Sequence, residues 1–135
     1  MSIVNDLRKI VYIISEMIDV RKDIIRFLDR VSMFEISVQC RGGVAIRCSI
    51  GFCDIIDTST RDKVTIFKNE VVLAPRDSRR AYGINPEKTR SPKAKRILEM
   101  AESCREEIEN AVKEMETRLE RLRQILALLS LVDTS

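Results

Sequence analysis

Two long stretches of the chain repeat apolar residues every three or four positions, and a shorter stretch between them alternates apolar with polar. From about Lys93 to Val132 the row is Ile97, Ala101, Cys104, Ile108, Ala111, Met115, Leu122, Ile125, Leu129 and Val132. Arg118 is its one polar member. This is the 3.5-residue period of a coiled-coil seam. No Gly or Pro interrupts it, which predicts one helix of roughly 54 Å at ~1.5 Å per residue. Residues 1–33 repeat the pattern through Ile3, Leu7, Ile10, Ile14, Met17, Ile24, Leu28 and Val31, with Arg21 as the polar member. Val4, Val11, Ile18 and Ile25 add a second row, so this apolar face is wider than a two-stranded seam needs. A helical hairpin that also packs on another subunit is expected, the alternative being that the helix lies over the protein's own sheet.

Near Phe34 the period drops to two. Phe34, Ile36, Val38 and Cys40 alternate with polar residues, as do Val44, Ile46, Cys48 and Ile50 beyond Gly42-Gly43. A two-residue turn would set Val38 against Arg47 and mix the two faces. A three-residue turn with left-handed Gly43 pairs Cys40 with Val44, Val38 with Ile46, Ile36 with Cys48 and Phe34 with Ile50, so that register is predicted. Gly51 is expected to mark a bulge, with the strand continuing through Cys53, Ile55 and Ile56. A turn at residues 57–62 leads to a second hairpin, which turns at Lys68-Asn69 and sets Ile66 opposite Val71 and Val64 opposite Leu73.

Residues 75–92 read as a loop, because Pro75, Pro86, Pro92 and Gly83 punctuate it. Ser91 followed by Pro92 is a helix start, with Ser as N-cap and Pro at the first helical position. The stretch from Arg76 to Arg96 carries Arg76, Arg79, Arg80, Lys88, Arg90, Lys93, Lys95 and Arg96 against Asp77 and Glu87. Its charge of +6 is twice the +3 of the whole chain. The fold expected from these patterns is a single α+β domain over residues 1–135. Two long heptad-patterned helices, 1–33 and 93–132, flank a small antiparallel sheet of about four strands in 34–74, with a basic loop at 75–92. The helices are expected to form an oligomeric coiled coil, giving a homo-oligomer or an assembly with a related subunit.

Composition narrows the chemistry. A third of the residues are charged and 44% are hydrophobic, which suits a soluble helix-rich protein and excludes general disorder. Asp6, Arg8, Lys9, Glu16 and Asp19 break up the N-terminal apolar run, so neither a signal peptide nor a membrane span is expected there. A cytoplasmic location with reduced thiols follows as the expectation. There is no His, no glycine-rich phosphate loop, and no Ser or Cys beside a recognisable base. No enzyme, catalytic residue or cofactor is therefore expected. Asp54, Asp57, Asp62 and Glu70 read as turn residues rather than a cation site. Cys40 and Cys48 stand near 13 Å apart along the first hairpin at ~3.3 Å per residue, too far for a mutual disulfide. Their spacing to Cys53 does not suit zinc, so no metal is expected. Cys104 reads as a small core residue in the seam.

The order helix, two β-hairpins, helix, with matched heptads in both helices, resembles the α-type subunits of the prefoldin family. The resemblance rests on topology and periodicity over most of the chain. It implies a β platform with antiparallel coiled coils whose distal tips hold non-native proteins, hence a chaperone or assembly scaffold. The matching positions would be the two chain ends, Ile3, Val4 and Leu7 together with Leu126, Leu128, Leu129, Leu131 and Val132. In an antiparallel hairpin, Arg21 would lie near Glu107 and Arg118 opposite Ile10. Each is either a register device or a side chain reaching the surface. The shorter first helix, the basic segment and the glycine-poor strand region depart from that family.

The alternative function is nucleic-acid binding, to DNA or RNA. The eight cations would track phosphates and Tyr82 would stack on a base. The bland account of the same residues is a solvated loop paired with the acidic helix through Glu99, Glu102, Glu106, Glu107 and Glu109.

Overall fold

The computed structural model describes residues 2–24, 34–76 and 80–133, with side chains over 3–20, 34–76 and 80–128. Helix α1 spans Ser2–Ile24. Six strands follow: β1 Ile36–Gln39, β2 Val44–Ser49, β3 Phe52–Asp57, β4 Lys63–Ile66, β5 Val71–Ala74 and β6 Tyr82–Ile84. The chain ends in α2 (Pro92–Ala101), a 3₁₀ turn at Glu102–Cys104 and α3 (Arg105–Asp133). The strands form one antiparallel sheet in sequence order.

The chain is α+β, but the expectation of about four strands flanked by two long coiled-coil helices is corrected. Two local features account for the extra strands. At Ile50-Gly51 the chain reverses instead of bulging: Ser49 pairs with Phe52 and Cys48 with Cys53. Gly51 has φ +90°, the positive value that a type II turn assigns to its second central residue. The sixth strand lies inside the expected loop. Tyr82, Gly83 and Ile84 pair with Leu73, Val72 and Val71, too few residues for a period to be seen.

Both hairpin registers follow the alternation of the sequence. Ile36 pairs with Cys48 and Val38 with Ile46, and Cys40 N donates to Val44 O at 3.1 Å. Gly43, at φ +88°, closes the three-residue turn. Ile66 pairs with Val71 and Val64 with Leu73. Alternation therefore sets Ile46, Ile55, Val64 and Leu73 in one row across the inner face, all buried. The outer face carries Arg47, Asp54, Thr65 and Val72 in a corresponding row, where Thr65 Oγ1 donates to Asp54 Oδ1 at 2.5 Å.

The broad apolar face of α1 is covered by the protein's own sheet and by α3. Helix α1 packs on β2, β3 and β4, and Cys53 Sγ lies 3.5 Å from Leu7 O. Along its length α1 meets α3: Lys9 pairs with Glu116 at 3.1 Å and Glu16 with Arg123 at 2.7 Å. Both partner numbers rise together, so α1 and α3 run in the same direction. The antiparallel hairpin is thereby corrected. Periodicity fixes which face of a helix is apolar and says nothing of helix polarity. Asp6 faces Glu109 in this interface; burial and then that neighbouring carboxylate raise its pKa.

The C-terminal helix is divided where it meets the sheet. Ser91 caps α2 by accepting from Ala94 N at 3.4 Å, and Pro92 occupies the first turn. Ala94, Ile97, Leu98 and Ala101, at i, i+3, i+4 and i+7, turn inward. Ser103 Oγ then donates back to Met100 O at 2.8 Å, within the 3₁₀ turn that ends at Cys104. Cys104 is disulfide-bonded to Cys40, and Cys48 to Cys53. The expectation of reduced thiols, with Cys104 a simple core residue, is corrected. Cys48 and Cys53 sit directly opposite one another in β2 and β3 with Cα atoms 4.0 Å apart.

The β1–β2 turn presses against this junction. A Cβ placed on Gly42 would stand 2.6 Å from Ser103 Oγ and 3.0 Å from Met100 O. Replacing Gly42 by Ala should therefore destabilise the protein by about 1–3 kcal/mol through overpacking, read as a lower urea midpoint. An unchanged midpoint would show that the turn has room to withdraw.

Arg118 also has a place the seam did not foretell. It is partly buried, donating to the Glu35 carbonyl at 2.9 Å and to Glu114 Oε1 at 2.6 Å. It secures the entry to β1, and the antiparallel pairing expected to set it opposite Ile10 does not form. The side chain of Arg21 lies outside those described, as do residues 25–33.

Candidate nucleic-acid interface

The basic segment runs from the end of β5 through β6 to the start of α2. Arg76 follows β5, and its backbone N–H donates to Asp62 Oδ1 at 2.9 Å. Tyr82 opens β6, 47% exposed, with its hydroxyl 3.4 Å from Ser91 Oγ at the N-cap of α2. The turn after β6 carries Lys88, whose N–H donates to Asn85 O at 3.2 Å. Lys95 shares a cavity of about 220 Å³ with Pro86, Glu87, Thr89, Leu98 and Glu99, the last an acidic residue of α2.

Two of the cations are drawn onto buried carboxylates. Lys93 Nζ is 3.9 Å from Asp62 Oδ1, and Arg96 Nε is 3.7 Å from Asp57 Oδ2. Asp57 is 2% exposed and anchors the β3–β4 turn, accepting from Ser59 N–H at 3.0 Å and Ser59 Oγ at 2.7 Å. Burial pushes its carboxyl upward, but these bonds and those from Thr60 outweigh burial and leave the pKa below its ordinary value. The stability that results is present at neutral pH and is lost as pH falls through that lowered value. The carboxylates that meet Lys93 and Arg96 come from the β3–β4 turn.

Arg76, Arg80, Lys88, Arg90 and Lys95 are exposed at this end of the molecule. Arg79 lies outside the described residues. Sequence reasoning missed Arg61 and Lys63, which belong to the same end. The signal was available in the second hairpin: pairing Lys63 with Ala74 places both residues beside Arg76. Asp54 and Glu70 stand apart from Asp57 and Asp62, and no metal-sized group of Cys, Asp or Glu occurs among the described residues.

The other predicted site is not assembled in one place. Ile3, Val4 and Leu7 are buried at the start of α1, whereas Leu126 and Leu128 lie at the opposite end of the α1–α3 pair. Leu128 is 64% exposed. Nothing is described for the side chains of Leu129, Leu131 and Val132. Among the described residues, no helix is long and apolar enough to cross a membrane.

No protein-family model, curated protein or solved structure matches the chain.

Proposed function

We propose that the protein is a non-enzymatic nucleic-acid-binding module whose contact surface is the basic end formed by β4–β6 and the start of α2. One observation carries this reading. Arg61, Arg76, Arg80, Lys88, Arg90 and Lys95 are exposed on the segments from the β3–β4 turn to the start of α2, while Arg96 and Lys93 lie near Asp57 and Asp62. Exposed Arg and Lys attract phosphates by charge and counterion release, without reading sequence. Tyr82 supplies an exposed ring beside them, which favours a single strand with unstacked bases over a duplex. A cytoplasmic location is not part of this reading, because the Cys40–Cys104 and Cys48–Cys53 disulfides favour an oxidising compartment.

A second reading keeps the far end of α3. Exposed Leu128, next to partly buried Ile125 and Leu126, would serve as a scaffold or holdase surface of the kind the prefoldin resemblance implies. Self-association or capture of non-native protein would then occur at that end.

Titrating labelled single-stranded and duplex oligonucleotides at low salt tests the first reading. Tyr82→Ala should weaken single-strand binding roughly 5- to 150-fold, from ~1–3 kcal/mol per stacked base, and leave duplex binding unchanged. Absence of saturable binding to either would refute it.

A further inference from the structure

The sheet has two edges, and they differ in charge. The β6 edge belongs to the basic surface. The β1 edge lies beside α3, separated from it by a groove of about 340 Å³ lined by Ser37, Gln39, Glu107, Asn110, Ala111 and Glu114. Strand hydrogen bonding alternates, so one bond fixes the rest of the edge. Cys40 N donates to Val44 O, hence Val38 and Ile36 also face β2. The N–H and C=O groups of Ser37 and Gln39 therefore point outward, toward the groove. The Glu35 carbonyl confirms the phase, since it faces outward and accepts from Arg118. That contact closes the edge at one end; the Cys40–Cys104 disulfide closes it at the other.

From this arrangement we infer that the β1 edge binds an extended basic peptide segment, which adds to the sheet as a seventh strand. Ser37 and Gln39 offer two donors and two acceptors for main-chain pairing. An added strand turns alternate side chains toward α3, where Glu107 and Glu114 flank the small residue Ala111. Lys or Arg at those alternate positions would lay its apolar stem over Ala111 and bring its charge to the carboxylates. Glu114 already bonds Arg118, which leaves Glu107 as the principal charge for the ligand. Symmetric pairing of β1 with β1 of a second copy is disfavoured, because it would bring the two acidic walls together.

The test uses a fluorescein-labelled hexapeptide alternating Lys and Val, titrated into the full chain, with amide hydrogen exchange recorded on the same complex. Saturable binding is expected, with the Ser37 and Gln39 amides at least ~10-fold better protected and no binding of the matching Glu-Val peptide. Ser37→Pro removes an outward donor and leaves the β1–β2 ladder intact, so affinity should fall at least tenfold. Glu107→Lys, at an exposed helix position, should produce a similar loss without altering the fold, whatever Ser37→Pro does to folding. Unchanged affinity in Glu107→Lys, or protection confined to other strands, would overturn the inference. So would Ser37 and Gln39 amides that become protected with rising protein concentration alone, since a second copy would then be the occupant.

Discussion

Replacing Cys40 and Cys104 together by Ser should lower stability by about 4 kcal/mol. The bond closes a loop of 64 residues, and the loop-entropy relation gives roughly this value at that length. For a domain of this size the loss corresponds to a fall in Tm of roughly 15 °C. The contacts around the bond support an effect of this scale. It ties the end of β1 to the 3₁₀ turn between α2 and α3, where Gly42 also approaches Ser103 and Met100. Without it no covalent link joins the β1–β2 turn to the helix junction, and the turn keeps only its packing and the hydrogen bonds of Thr58 to Gly43 O. The Cys48–Cys53 bond closes only a short hairpin that β2 and β3 already pair, so its removal should cost less, about 2 kcal/mol. Thermal unfolding by circular dichroism, with and without a phosphine reductant, checks both values. The reductant should bring the wild-type melting temperature down to that of a four-Cys→Ser variant. Identical melting in all samples would mean that the thiols contribute only as packed side chains.

The second large effect concerns the basic surface. Changing Arg76, Lys88, Arg90 and Lys95 together to Ala should weaken single-strand binding at least about 100-fold at low salt. The estimate takes about 1 kcal/mol for each cation–phosphate contact near 4 Å in water. The slope of log affinity against log salt should fall by roughly 3, since each contact to a single strand contributes about 0.7. All four residues are exposed, so the variant should melt close to wild type. Lys93 and Arg96 are left unchanged in this variant, because they lie near Asp62 and Asp57. Replacing those two would confuse stability with binding. A fourfold variant that keeps the wild-type slope would place the contact surface elsewhere.

Much of the sheet was legible from period two. Only one hairpin register sets Val38 on Ile46 and Ile36 on Cys48, and apolar matching along the sequence selects it. Gly51 shows the limit of that reasoning. A glycine in an alternating run suits a bulge and a tight turn equally, and the cross-strand partner Cys53 decides between them. Strand β6 has three residues and owes its conformation to β5, so local sequence carries little sign of it. The helices were legible as helices, but their mutual direction depends on the return path of the chain. The Lys9–Glu116 and Glu16–Arg123 pairs become meaningful only once that direction is known. The disulfide partner of Cys40 lies 64 residues away in a seam position that also suits a small core side chain. At the candidate interface, the run of cations was visible as composition. Their partial neutralisation was not, because Asp57 and Asp62 reach Arg96 and Lys93 from a turn more than thirty residues earlier in the chain.

The most direct test of the central claim is the affinity of the full chain for a labelled single-stranded oligonucleotide, measured across a salt series. The account predicts saturable binding that weakens linearly on logarithmic axes, with a slope of at least about −3 from the four exposed cations. Binding that ignores salt, or no binding at the lowest salt, would contradict it.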